Sequence, residues 1–171
     1  MSALTVAEDN TSLTFTYDDF VKYHGFKSPC GLSQAYKVLE LALPILEDGK
    51  PVERRELNII TAFTGPGAKD GFEMIARAVS GDRYTVNPRL GGDGVTESPS
   101  GKYFFRLEYR GKFVELRLKP EHIREDYIQL SRTPNRSDSQ HERLQELKQE
   151  LADRVLPQTS EQLYDVTTGQ I

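Results

Sequence analysis

The sequence predicts an α+β fold, with helices packed on a small, mostly antiparallel sheet and a helical arm at the C-terminal end. Three observations carry this. Ser28-Pro29 is followed by Leu32, Ala35, Tyr36, Leu39, Ala42, Leu43 and Leu46, an apolar stripe at helical spacing. Residues 102–109 and 112–119 read as a hairpin across Arg110-Gly111. In its second arm Phe113, Glu115 and Arg117 alternate with Val114, Leu116 and Leu118. The order is helices first, then a meander of strands, then a charged helix, with no internal repeat.

Each element has its own signal. Residues 1–15 read as a flexible lead-in with a short β-like run over 13–16. A first helix starts near Asp18, where negative charge suits a helix N-terminus, and carries Phe20, Val21, Tyr23 and His24. The second begins with a capping hydroxyl before proline at the first helical position. Pro44 should loosen its last turn, and Asp48-Gly49 ends it. Residues 56–63 suit a buried strand. The turn Thr64-Gly65-Pro66-Gly67 leads into a helix over 69–80 that Gly81 stops. Residues 83–90 form a strand that Pro88 marks as an edge or an end. A polar loop over 91–101 could be a lid or a plain connection. Pro120 opens a helix to about residue 130, residues 131–138 are a linker, and a helix over 139–156 shows Leu144, Leu147, Leu151 and Val155 on one narrow face. The tail after Pro157 reads as polar and mobile. The chain thus divides into a core over 1–130, a linker, and an amphipathic helix with a flexible tail over 139–171.

Composition narrows the function classes. The chain has 171 residues, 37% of them hydrophobic and 28% charged, which suits a globular domain able to bury a core unaided. With 22 basic against 26 acidic residues, no footprint for nucleic acid is present. No apolar run reaches the ~20 residues of a membrane span, and the first residues lack the pattern of a signal peptide. The single cysteine rules out an internal disulfide and an all-thiolate zinc site within one chain, so a reducing cytoplasm is the expected setting.

Cys30 is the first candidate for chemistry. In the first turn of a helix, free amides and the macrodipole favour a thiolate, and His24 and Lys27 are close in sequence. Such a group could make a nucleophile or two metal ligands; a small buried hydrophobe is the plain alternative. Gly65, Gly67 and Lys69 belong to a strand-to-helix turn of the kind in which backbone amides cradle anions. The segment 65–71 nevertheless fits neither the dinucleotide nor the phosphate-loop pattern, and a tight turn is the simpler reading. Asp70 reads as a charge on the helix dipole. His122, His141 and the pairs Asp18/Asp19 and Glu125/Asp126 read as surface groups. The leucine face over 144–155 suits a second subunit or the chain's own core.

The segments YHGFKSPCGLSQAY, NIITAFTGPGAKDGFEMI and YFFRLEYRGKFVELRLKP together resemble the core domain of the formylmethanofuran dehydrogenase E-subunit family, over roughly residues 18–130. Tyr23-His24-Gly25 matches the aromatic-His-Gly start, Cys30-Gly31 lies near the family's Cys-Pro-Gly, and Asp70 matches the Asp of a second motif. Phe26 stands where a second histidine is expected, the second-motif cysteine is missing, and no zinc finger can follow. The resemblance implies a divalent metal, commonly zinc, held by His24, Cys30 and Asp70. It also implies a homodimer and a role auxiliary to a larger molybdenum- or tungsten-type oxidoreductase. Two further readings stay open: a metal-free enzyme with Cys30 as nucleophile and His24 as base, acting on a small anionic substrate, and a cofactor-binding module.

Overall fold

In the computed structural model, which describes residues 3–171, the apolar stripe after Ser28 becomes the central helix of an α+β fold. Residues 1–2 of the expected lead-in lie outside the described residues; the rest of it forms a hairpin, β1 (Leu4–Glu8) with β2 (Thr11–Phe15). Asp9 and Asn10 join the strands, both at positive φ, which short polar side chains tolerate and a two-residue hairpin turn requires. Helix α1 (Tyr17–His24) starts at Thr16, whose amide donates to the Asp19 carboxylate at 2.8 Å.

Helix α2 (Pro29–Leu46) is buried on nearly all sides, well beyond the expected stripe: Val38, Leu41, Ser33, Gln34 and Lys37 are covered too. The Lys37 ammonium is held at 2.8 Å by both the Glu40 carboxylate and the Gln158 carbonyl, the pairing a buried charge needs. Pro44 sits in the last turn, on the exposed side, so its missing N–H disturbs little. The short β3 (Val52–Glu53) pairs parallel with β1 and completes a three-stranded sheet.

The main sheet begins with β4 (Asn58–Phe63). Helix α3 (Pro66–Ala76) follows, three residues earlier than the sequence predicts because Pro66 takes the first helical position, and β5 (Tyr84–Val86) pairs parallel with β4. The loop over 91–101 is no free flap. Arg117 and Lys102 donate to the Gly91 and Gly92 carbonyls, and its end forms β6 (Glu97–Ser98) against β7 (Gly101–Tyr109). Strand β8 (Lys112–Leu118) turns Val114, Leu116 and Leu118 into the core and leaves Phe113, Glu115 and Arg117 on the outer face, as the alternation predicts.

Helix α4 (Glu125–Arg132) runs into the expected linker, where the Arg136 guanidinium donates to the Leu130, Ser131 and Thr133 carbonyls and caps that helix. Helix α5 (Asp138–Val155) packs its leucine face on α2 within this chain: Leu144, Leu147, Leu151 and Val155 are all buried. The face that suggested a second subunit is therefore already covered.

The mobile tail is a correction. Residues 160–163 form the short α6 (Ser160–Leu163), and β9 (Tyr164–Gln170) pairs with β8 along seven residues. Its amides and carbonyls complete the edge of β8, and Leu163 and Tyr164 enter the core. The main sheet has the order β5-β4-β7-β8-β9, with β6 beside β7. No helix among the described residues is long and apolar enough to cross a membrane.

Candidate functional site

Two helix N-termini meet where the sequence placed its candidates. The contact depends on glycine: a Cβ on Gly31 would lie 2.9 Å from the Ala68 amide nitrogen, and one on Gly67 would lie 2.6 Å from the Ser28 carbonyl oxygen. A Cβ on Gly71 would lie 2.8 Å from Ala35 Cβ and 3.0 Å from the Phe20 ring, so α2 and α3 cross closely along both turns, backbone against backbone at Gly31 and Gly67. Gly67, expected as an anion cradle, thus first serves close packing.

A cavity of about 120 Å³ opens beside this crossing. Ser28, Cys30 and Gly31 form one side, and Phe63, Gly65, Pro66 and Gly67 another. Ser100 comes from the long loop, Tyr127 from α4 and Lys148 from α5. A larger and more open depression of about 450 Å³ lies elsewhere, beside Lys22 and Tyr23. Pro29 and Pro66 bring no N–H to the helix starts. The amides of Leu32, Ala68 and Lys69 turn back to the Ser28 and Gly65 carbonyls. Among the described residues, that leaves the amides of Cys30, Gly31 and Gly67 unclaimed at the positive ends of both dipoles.

Cys30 is buried, with Sγ 3.8 Å from the Tyr103 hydroxyl, whose ring stacks on Phe63 at 4.7 Å. Burial pushes the Cys30 thiol up to about 11, against relief from the Tyr103 hydroxyl, from the charge on Lys148 and from the Tyr127 hydroxyl. Burial likewise raises both tyrosines, so all three groups keep their protons at neutral pH. The helix dipole does not produce the thiolate the sequence suggested. A thiol at about 11 instead of 9 is ~100-fold less ionised at neutral pH. Iodoacetamide should therefore label Cys30 at least ~100-fold more slowly in the folded protein than in urea, as followed by intact mass; fast labelling of the folded protein would contradict the protonated, enclosed thiol.

His24 does not serve Cys30. Its Nδ1 donates to Asp70 Oδ2 at 2.7 Å, joining the end of α1 to the first turns of α3, and no hydrogen bond links it to the thiol. The three expected metal ligands therefore divide into a His24–Asp70 pair and a Cys30 that faces tyrosines. Among the described residues no three His, Cys, Asp or Glu side chains form a group able to hold an ion. Lys69 is exposed and does not line the cavity, whereas Gly65 and Gly67 do. His122 reaches the Gln162 carbonyl at the surface, and His141 is exposed.

No family model and no curated protein matches the chain.

Sequence reasoning missed Tyr103, Tyr127 and Lys148. The tyrosines gave no local signal, being core residues of a strand and a helix. Lys148 did give one: it lies four residues from Leu144 and three from Leu151, so it interrupts the apolar face of α5. A lysine at such a position is half-buried by construction. Burial lowers its pKa, the Cys30 side chain acts in the opposite direction, and Arg136 lowers it further.

Proposed function

We propose that this protein is a binding module for a small anionic molecule held in the cavity between the N-terminal ends of α2 and α3. The observation that carries this is Lys148. It lines the cavity, is half-buried, and has no carboxylate or hydrogen-bond partner among the described residues. A cation taken from water without a partner costs free energy that a bound anion offsets. The unclaimed amides of Cys30, Gly31 and Gly67 add donors, and the protonated Cys30 and Tyr127 add no negative charge. The volume suits an anion of a few heavy atoms, well below the ~300–1,000 Å³ of a drug-sized site. The resemblance supplies a setting: a cytoplasmic homodimer auxiliary to a molybdenum- or tungsten-type oxidoreductase.

A second reading, a divalent metal such as zinc, is favoured by the His24–Asp70 bond, since a carboxylate on Nδ1 orients an imidazole whose other nitrogen can ligate. Cys30 does not join that pair.

One NMR titration tests both. Acetate, with ionic strength matched by chloride, should shift the Gly31 and Gly67 amides saturably. Lys148→Gln should weaken binding ~10–100-fold, the worth of one charge-assisted hydrogen bond. Amides that follow ionic strength alone would overturn the anion reading. Zinc in place of acetate should perturb His24 and not His24→Ala if the second reading holds.

A further inference from the structure

We propose that Lys148 is a carbonyl-reactive amine, and that the ligand of the cavity is a small 2-oxo acid whose carbonyl carbon condenses with Nζ. This rests on the anion reading, because the carboxylate of the ligand is what the two helix ends would hold.

The contrast with Lys37 shows what is unusual about Lys148. Lys37 is more deeply buried, yet its Nζ donates to the Glu40 carboxylate and to the Gln158 carbonyl, and that lysine ties α2 to the C-terminal segment. Among the described residues Lys148 has no such counter-ion, and it lines a cavity. Its charged and titratable surroundings are the Arg136 cation, the Cys30 thiol and, across the same cavity, the Tyr127 hydroxyl. Burial and a neighbouring cation both disfavour an ammonium, which is how lysine is made nucleophilic at neutral pH.

The other walls fit the same chemistry. Gly31, Gly67 and Lys148 line the same cavity, so a 2-oxo acid, with its carboxylate and carbonyl on adjacent carbons, can meet the amides and the lysine together. Phe63 and Pro66 add apolar surface to the lining, which suits a short side chain. The step balances without any further reagent. The neutral Nζ forms a bond to the carbonyl carbon, and the π pair moves to oxygen, which takes a proton from the Tyr127 hydroxyl. The carbinolamine then loses water as the nitrogen lone pair forms C=N. Both amine protons leave with the carbonyl oxygen, and Tyr127 is returned to its protonated form.

The experiment is borohydride trapping of the full chain with pyruvate, read by intact mass and peptide mapping, beside the amide titration repeated with lactate, which has no carbonyl. The expected result is one reduced adduct on Lys148, formed at least ~10-fold faster than on exposed Lys69. Lys148→Arg keeps the charge and cannot condense. It should lose the adduct, while an amide spectrum dispersed like that of the unaltered protein shows that it folds. Adducts spread evenly over exposed lysines, or none on Lys148 while lactate still binds, would overturn the imine and leave the anion reading standing. Failure of lactate and pyruvate alike to shift the amides would overturn both.

Discussion

Gly67→Ala is expected to destabilise the fold by about 3 kcal/mol and to abolish anion binding in the cavity. The added methyl would sit 2.6 Å from the Ser28 carbonyl oxygen, 2.9 Å from Ser28 Cβ and 3.0 Å from the Leu32 amide. These are two backbone atoms and the base of a side chain, so no rotamer change relieves the clash. The helices must separate, and separation also undoes the seating of Gly31 against Ala68. Helix propensity acts in the other direction, since alanine favours a helix over glycine by ~1 kcal/mol. Overpacking against backbone is the larger effect, and the net sign is destabilising. Urea unfolding checks this, with Lys69→Ala as a nearby exposed control expected within about ±0.5 kcal/mol. If Gly67→Ala proved neutral, the close crossing of α2 and α3, and with it the geometry of the cavity, would be wrong.

What the sequence could and could not convey follows from where each signal resides. α2 was legible because its start and its apolar spacing are local, as was the β7–β8 hairpin. α3 was placed late because glycines argue against helix by propensity. Here Gly67 and Gly71 are inside the helix, where a larger residue would collide with α2 and Phe20. The β1–β2 hairpin carried its signal in Asp9-Asn10, a turn pair suited to positive φ, which an eye for apolar runs passes over. At the site, the local signals place Cys30 at a helix start, but its chemistry is set by Tyr103, 73 residues away, and by Tyr127 and Lys148. The dipole favours a thiolate; burial among aromatic rings opposes it, and burial prevails. His24 found a carboxylate 46 residues away in place of the thiol six residues on. Neither outcome is encoded in local spacing.

Tyr164→Ala should cost about 3–5 kcal/mol, as large aromatic truncations in cores do, although it falls in a stretch whose composition reads as tail. Tyr164 is 2% exposed, and its hydroxyl donates to Gln34 Oε1 at 2.7 Å, one turn along α2 from Cys30. Truncation removes the ring that anchors β9 and leaves a buried amide oxygen without its donor, two costs that add on the same side. The same amide already carries one such cost, since Gln34 Nε2 has no hydrogen-bond partner among the described residues. Tyr164→Phe keeps the ring and loses only the bond, so about 1 kcal/mol is expected. Thr167→Ala, on the outer exposed side of the strand, should stay within about ±0.5 kcal/mol. Denaturant midpoints give the ranking, and hydrogen exchange along β8 gives the mechanism. In Tyr164→Ala, amides of Val114 to Leu118 that bond to β9 should lose protection, because an unpaired β8 becomes the edge of the sheet. If the alanine variant instead matched the threonine control and β8 kept its protection, residues 164–170 would be a tail lying on the sheet. β8 would then be the true edge, and Gln34 would have to find its donor elsewhere.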